Sequence, residues 1–189
     1  MGLAKRTFAL AAAGAVTAIT GPGAFYGIHV RENTGVAAPG TLQVYDNTAA
    51  SGTLVATIRL GADGEHNFEW LKGVKFQNGL HIVATGADLT GMIMIGSGGG
   101  LRSIPFAGAD LLLVTGATEV DSVLAAETAG AAAEWRVFDA LTATGTSFVG
   151  GINAANETQK VSFSKGVNMG TGLFYDQVSG AVSGNVFVR

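Results

Sequence analysis

Residues 41–46 read Thr-Leu-Gln-Val-Tyr-Asp, and residues 134–139 read Glu-Trp-Arg-Val-Phe-Asp. Each stretch alternates polar and apolar side chains and ends with an aspartate, which is typical of a half-buried β-strand that runs into a turn. The two stretches belong to a longer duplication, because residues 41–95 align with residues 134–188 without a gap. Twelve of the 55 aligned pairs are identical, and 12 of the other 43 match one apolar residue with another. The chain therefore contains two homologous copies of one β-rich domain.

The repeat divides the chain of 189 residues into two domains of similar length. Upstream of the gapless alignment, Ala18–Gly21 resembles Leu113–Gly116, so the duplication extends towards the amino terminus. Between the copies, residues 96–100 read Gly-Ser-Gly-Gly-Gly, a composition typical of a flexible linker. We therefore predict a first domain over residues 1–95 and a second domain over residues 101–189.

Short strand signals recur along both copies. Runs such as Thr53–Leu60 and Leu80–Thr85 are rich in β-branched and apolar residues, and Gly, Asn and Asp residues separate the runs. About seven or eight strands per copy are enough for two packed sheets. We predict an all-β protein with two tandem homologous antiparallel β-sandwich domains of jelly-roll-like type.

Two local features refine this prediction. Asn78-Gly79 lies between two strand signals and predicts a two-residue β-hairpin, with Thr171-Gly172 as its counterpart. The Ala-rich residues 124–134 could form a helix, but they align with a segment that contains glycine and proline. We therefore predict the end of a strand and a loop there.

The composition excludes several classes of function. Only 13% of the residues are charged, and the 11 Lys plus Arg give no basic patch for nucleic acid. The absence of cysteine excludes disulfides, thiolate zinc sites and cysteine nucleophiles. Residues 1–20 resemble a secretory signal, but the run is too short to span a membrane. The repeat aligns the apolar segment Phe8–Ile19 with Leu111–Val114, so we interpret Phe8–Ile19 as part of the first domain and not as a signal. The apolar run Leu111–Val114 predicts a buried strand.

The histidines and carboxylates suggest structural roles. His29, His66 and His81 show no metal-ligand spacing. At a spacing of 93 residues, the second copy has Ser122, Gln159 and Phe174 in their places. Asp46 and Asp139 are preserved between the copies, and an aspartate that closes a strand is typical of a turn cap.

No motif points to catalysis or to a cofactor. A G-x-S-x-G nucleophile motif is absent, and the Gly-rich linker lacks the Gly-Lys-Thr ending of a phosphate loop. We therefore predict a protein that is not an enzyme, with no catalytic, cofactor-binding or metal-binding residues and no small-molecule substrate.

The low charge instead predicts association with other protein surfaces, because few charges protect the faces and edges of the sheets. Lys5, Arg6, Thr7 and Phe8 form a short basic and apolar stretch near the amino terminus. We interpret this stretch as an arm or edge strand that pairs with its own sheet or with a neighbour, and we predict these four residues as partner contacts. Deletion of residues 1–8 should then weaken attachment and leave the fold intact.

Three motifs of the first copy resemble small repeat domains in virion structural proteins of tailed bacteriophages. They are Tyr26-Gly-Ile-His-Val30, Thr41-Leu-Gln-Val-Tyr-Asp46 and Gly73-Val-Lys-Phe-Gln-Asn-Gly-Leu80. The second copy departs from them, with Glu119-Val-Asp-Ser-Val123 at the first motif and Met169 in place of Phe76.

Within that class, a tandem pair of small sandwiches resembles the head decoration, or cement, proteins. The resemblance implies a non-enzymatic protein that stabilises a capsid by bridging neighbouring subunits. Its partners would be the major capsid protein and copies of itself, without nucleic acid or membrane. It would be made in the host cytoplasm and reside on the capsid surface of the virion.

Two alternatives stay open. The chain could be another virion component, such as a tail or head-fibre attachment protein. It could also be a secreted tandem carbohydrate-binding module, with Trp70 and Trp135 as candidate sugar platforms, although both fall in the core-like register of their strands. A catalytic site between the domains is disfavoured, because the acidic excess of the second copy is small.

Overall fold

The computed structural model describes residues 6–10, 14–35, 39–86, 88–145 and 147–189. Within these ranges the chain forms sixteen β-strands and no helix, and the strands pair in four antiparallel sheets. The contacts divide the chain into two compact units, Met1–Ser103 and Ile104–Arg189. This division falls shortly after the predicted Gly-rich linker.

Each domain contains eight of the described strands. The strands of the first domain are β1 (Arg6–Leu10), β2 (Gly14–Thr20), β3 (Gly23–Glu32), β4 (Gly40–Asp46), β5 (Thr53–Leu60), β6 (Glu65–Phe76), β7 (Gly79–Thr85) and β8 (Leu89–Gly96). The strands of the second domain are β9 (Arg102–Ala107), β10 (Leu111–Thr115), β11 (Thr118–Glu127), β12 (Ala133–Phe138), β13 (Ser147–Asn153), β14 (Thr158–Met169), β15 (Gly172–Ser179) and β16 (Val182–Val188). Residues 124–134 thus form the end of β11, a loop and the start of β12, which confirms the prediction for them.

The two domains have the same sheet topology. In the first domain, sheet A has the order β1-β8-β3-β6 and sheet B has the order β2-β7-β4-β5. In the second domain, sheet C (β9-β16-β11-β14) and sheet D (β10-β15-β12-β13) repeat these orders strand for strand. Two four-stranded sheets with this interleaved order make an eight-stranded jelly roll. The predicted all-β fold, with two tandem jelly-roll-like sandwiches, is confirmed.

Aromatic side chains fill the core of each sandwich. In the second domain, the rings of Phe106 and Tyr175 stack with their centroids 4.2 Å apart. In the first domain, the centroids of Phe25 and Trp70 are 5.1 Å apart. Trp70 and Trp135 are 1% and 0% exposed, so both belong to the cores and neither offers a platform for a sugar.

The alignment of the two copies changes by two residues between β3 and β4. Glu32 ends β3 and Glu127 ends β11, so these strands correspond at a spacing of 95 residues. The loop that follows is shorter in the second domain, which restores the spacing of 93 residues from β4 onwards. The counterpart of His29 is therefore Leu124, and the sequence-based assignment of Ser122 was wrong.

The turn at Asn78-Gly79 is not a hairpin, and that prediction was wrong. The strand before it, β6, belongs to sheet A, whereas β7 belongs to sheet B, so the chain crosses from one sheet to the other. Asp46, at the end of β4, accepts hydrogen bonds from the backbone N–H groups of Gln77 and Asn78 at 2.9 and 2.7 Å. These bonds hold the turn without the strand pairing that a hairpin would supply.

Candidate interaction surface

Asp46 and Asp139 hold the same turn in the two domains. Asp139 accepts hydrogen bonds from the N–H groups of Gly170 and Thr171 at 2.9 and 2.8 Å. These N–H groups keep the pKa of Asp139 below its ordinary value. The predicted cap of the turn that directly follows the strand was wrong, because each carboxylate instead binds a turn about 31 residues further along the chain. Both carboxylates are therefore bound to backbone.

A second pair of carboxylates, Glu32 at the end of β3 and Glu127 at the end of β11, binds nearby loops. Glu32 is fully buried. Its carboxylate accepts hydrogen bonds from the hydroxyl and the N–H group of Thr34, and a further hydrogen bond of 2.8 Å from the N–H group of Asp63. The Thr34 hydroxyl and the Asp63 N–H contribute most to lowering the pKa of Glu32 to about 2. Glu127 accepts the Asn156 N–H at 2.7 Å, among others.

Sequence reasoning missed this second pair. Burial alone would raise the pKa of Glu127, but its backbone N–H donors outweigh the burial and keep the pKa below its ordinary value. A signal was present, since a glutamate ends an apolar strand in both copies. It was hidden because the gapless alignment is two residues out of step in this region. Both glutamates organise loops and are not available as a catalytic pair.

The three histidines do not converge. His29 Nε2 lies 2.8 Å from Glu65 Oε1 on sheet A, and this hydrogen bond keeps the pKa of Glu65 below its ordinary value. His81 Nδ1 lies 2.9 Å from Thr17 Oγ1 on sheet B. The ring of His66 stacks on a neighbouring phenylalanine at 5.0 Å. Over the described ranges, no group of three or more His, Asp or Glu side chains is placed to hold a metal ion.

The predicted arm is described only in part. Lys5 lies outside the described residues. Arg6, Thr7 and Phe8 belong to β1. This strand pairs with β8 along its whole length, and the pairing begins with Arg6 opposite Ile95. Deletion of residues 1–8 would therefore remove three of the five residues of an edge strand, so the expectation that this truncation leaves the fold intact conflicts with the pairing.

The outer face of sheet D is apolar where its counterpart on sheet B is polar. Leu112 on β10, Phe174 on β15 and Phe138 on β12 are directly opposite one another, and we call them the apolar row. Leu173 and Tyr175 point into the core, so Phe174 and its two neighbours point outwards. Leu112 is 39% exposed and Phe174 is half-buried, whereas Phe138 is only 4% exposed.

The polar row is the equivalent set on sheet B. Thr17, His81 and Tyr45 lie opposite one another on β2, β7 and β4, at the positions that the apolar row occupies in the second domain. Thr17 and His81 are joined by the hydrogen bond described above. The shared strand order thus presents two chemically different outer faces.

Further apolar side chains are exposed on the strands of sheet D and in one of its loops. Eight large hydrophobic residues of the described chain are exposed, and five of them belong to sheet D or to its β12–β13 loop. These five are Leu111, Leu112, Leu141, Ile152 and Val178. The exposed Leu111 and Leu112 contradict the sequence-based expectation of a buried strand at this position. An exposed cluster of this kind on one sheet is typical of an interaction surface.

Charged residues cross the same face beside the apolar row. Arg136 lies opposite Asp176 and forms an ion pair with Glu134 at 2.7 Å. Asp110 accepts a hydrogen bond from the Gln177 N–H at 3.1 Å, at the start of β10. The face of sheet D therefore combines an apolar row with one cation and several carboxylates.

No known family model matches the chain, and no curated protein sequence matches it. In the part of the chain that the structure describes, no helix is long and apolar enough to cross a membrane.

Proposed function

We propose that this chain is a non-enzymatic structural protein that decorates a bacteriophage capsid and bridges neighbouring capsid subunits. The observation that carries the proposal is the outer face of sheet D, where Leu112 is exposed and Phe174 is half-buried in the apolar row, together with four other exposed apolar side chains on sheet D or its β12–β13 loop. The proposed partners are the major capsid protein and further copies of the chain, on the capsid surface of the virion.

Binding through this face requires no chemistry. Apolar surface that leaves water contributes about 25 cal/mol per Å², and a specific protein interface of standard size buries about 1,600 Å² in total. A decoration protein also binds at many equivalent places, so moderate affinity at each contact is sufficient to stabilise a shell. The carboxylates around the apolar row would limit association with unsuitable surfaces.

The difference between the two domains supports a bridging role. One chain carries two sandwiches of the same topology, and the equivalent outer faces differ in chemistry. Such a chain can bind two unlike environments with one fold. Strand β1 supports a second type of contact. It lies at the edge of sheet A as the structure describes it, so the backbone groups on its outer side are available to a strand of a neighbouring protein.

The proposal is tested by cosedimentation of the purified chain with heads of the tailed bacteriophage that encodes it. We expect the native chain to pellet with expanded heads and the variant Leu112→Thr/Phe174→His to stay in the supernatant. The matched control is Leu71→Thr, which removes an 86% exposed leucine from β6 of the first domain. It should pellet like the native chain. Equal pelleting of native chain and Leu112→Thr/Phe174→His, or no pelleting of the native chain, would overturn the proposal.

The role of the amino-terminal arm needs a shorter truncation than the sequence suggested. Deletion of residues 1–5 leaves all five residues of β1 in place, so the pairing with β8 is preserved. We expect this truncation to pellet less with expanded heads while its thermal unfolding stays unchanged. Full pelleting of the truncated chain would exclude residues 1–5, including Lys5, as a partner contact and would leave β1 and the apolar row as the proposed contacts.

A further inference from the structure

Two carboxyl groups meet at the open edge of sheet D. Leu111 lies opposite Tyr175 in the β10–β15 pairing, which brings the preceding Asp110 opposite Asp176. The N–H of Gln177 donates a hydrogen bond to Asp110 Oδ1 at 3.1 Å and so fixes the Asp110 side chain beside β15. Like charges at directly opposite positions on neighbouring strands destabilise the pairing.

We propose that Asp110 and Asp176 form a carboxyl pair that fastens edge strand β10 to β15 when Asp176 is protonated and loosens it when both side chains are ionised. The protonated Asp176 donates a hydrogen bond to Asp110, and loss of this proton replaces the bond with repulsion. The test of this inference needs no partner and does not depend on the proposed capsid function.

The groups around the pair set the direction of the effect. Burial of Asp176, the charge of Asp110 and the hydrogen bond to Asp110 all raise the pKa of Asp176 above its ordinary value. Glu134, on the neighbouring β12, raises it further. Arg136 lowers it, but Arg136 also forms the ion pair with Glu134. Because the folded state holds the proton more tightly than the unfolded state, the pairing loses stability as the pH rises through the raised pKa.

Strand β10 is a suitable element for such control. It has only five residues and forms the edge of sheet D, with a register irregularity between Leu112 and Val114. Few hydrogen bonds hold it, so one repulsive pair is a large part of its local stability. In the first domain, Ala15 lies opposite Val83 at the equivalent place on β2 and β7. That edge strand therefore lacks the titrating pair and serves as an internal control.

The experiment is amide hydrogen exchange of the full chain between about pH 3.5 and pH 8, a range that starts below the ordinary pKa of aspartate, where Asp176 holds its proton. Exchange is expressed as protection factors, which removes the intrinsic pH dependence of the chemistry. We expect protection of residues 111–115 to fall by about threefold or more as the pH rises. Protection of residues 14–20, in β2, should stay constant.

Two variants separate the pair from a general effect of pH. In Asp176→Asn and in Asp110→Asn, protection of residues 111–115 should stay high and constant across the range. Asn at position 110 still offers an oxygen to the Gln177 N–H, so this variant tests the charge without removing that bond. Constant protection of β10 in the native chain, an equal fall in β2, or the native pH dependence in both variants would overturn the inference.

Discussion

The two domains of this chain share their strand order and their capping carboxylates, whereas the outer faces of sheets B and D carry different residues. Asp46 and Glu32 in the first domain have Asp139 and Glu127 as counterparts, and each accepts backbone N–H groups from distant turns. The row across the outer face is polar in the first domain and apolar in the second. Core residues and caps thus define the jelly roll, and the outer face is where the two domains differ in chemistry.

The largest expected effect concerns a buried amide that only the second domain has. Asn153 accepts the indole N–H of Trp135 at 2.8 Å and donates to the Ala125 carbonyl at 2.7 Å, where the first domain has the apolar Leu60. Asn153→Ala should lower the free energy of unfolding by about 2–4 kcal/mol, because it leaves buried polar groups unpaired and creates a cavity.

Urea unfolding checks this prediction, with Leu60→Ala as the matched change in the first domain. Leu60→Ala creates a cavity without orphaned polar groups. Asn153→Leu, which inserts the residue of the first domain, should still lower the stability, since the Trp135 indole keeps no acceptor. A stability of Asn153→Leu equal to that of the native chain would show that the polar contacts are not needed.

The next largest effect is the loss of folding stability at low pH. Both buried glutamates have lowered pKa values, that of Glu32 lying at about 2 against an ordinary 4.5. Their stabilisation is therefore complete above about pH 4.5 and is lost as the pH falls towards 2. Urea midpoints measured from neutral pH down to about pH 2.5 should fall steeply for the native chain.

The variants Glu32→Gln and Glu127→Gln sharpen the comparison of the domains. Each should be less stable at neutral pH, and the double variant should show a flatter acid limb than the native chain. Glu32→Gln should change the acid limb more than Glu127→Gln, because Glu32 also accepts the Thr34 hydroxyl. Ala129, at the equivalent place beside Glu127, offers only its N–H. An unchanged acid limb in the double variant would exclude them as the groups responsible.

The smallest effect on stability is expected when two residues of the apolar row are replaced by their counterparts in the polar row. Leu112→Thr/Phe174→His places residues of the first domain on the outer face of the second. Both sites are exposed or partly exposed, so the free energy of unfolding should change by no more than about 1 kcal/mol. Thermal unfolding checks this, and a loss several times larger would mean that the row supports the fold and not an interaction.

The sequence predicted the fold because its duplication is visible along the strands that carry the core. Trp135 and Val137 on β12 match Leu42 and Val44 on β4, and all four are buried. Strand signals alone, however, do not reveal which strands pair. The turn at Asn78-Gly79 therefore predicted a hairpin, although the jelly roll sends the two strands to different sheets.

The interaction surface could not be predicted for a related reason. Four apolar residues in a row, Leu111–Val114, are typical of a buried strand, yet Leu111 and Leu112 are 41% and 39% exposed at the edge of sheet D. Phe174 and Phe138 are distant in sequence and meet Leu112 only through the pairing of β10, β15 and β12. The row is a property of the topology, so a reading along the chain does not find it.

The most direct test of the proposed function compares amide exchange of the free chain with that of the chain bound to expanded heads. We predict that binding slows exchange in residues 111–115 and 172–179, which carry two members of the apolar row, and leaves residues 14–20 and 79–85 of the polar row unchanged. Slower exchange confined to the polar row, or no change in either row, would contradict the assignment of the outer face of sheet D as the docking surface.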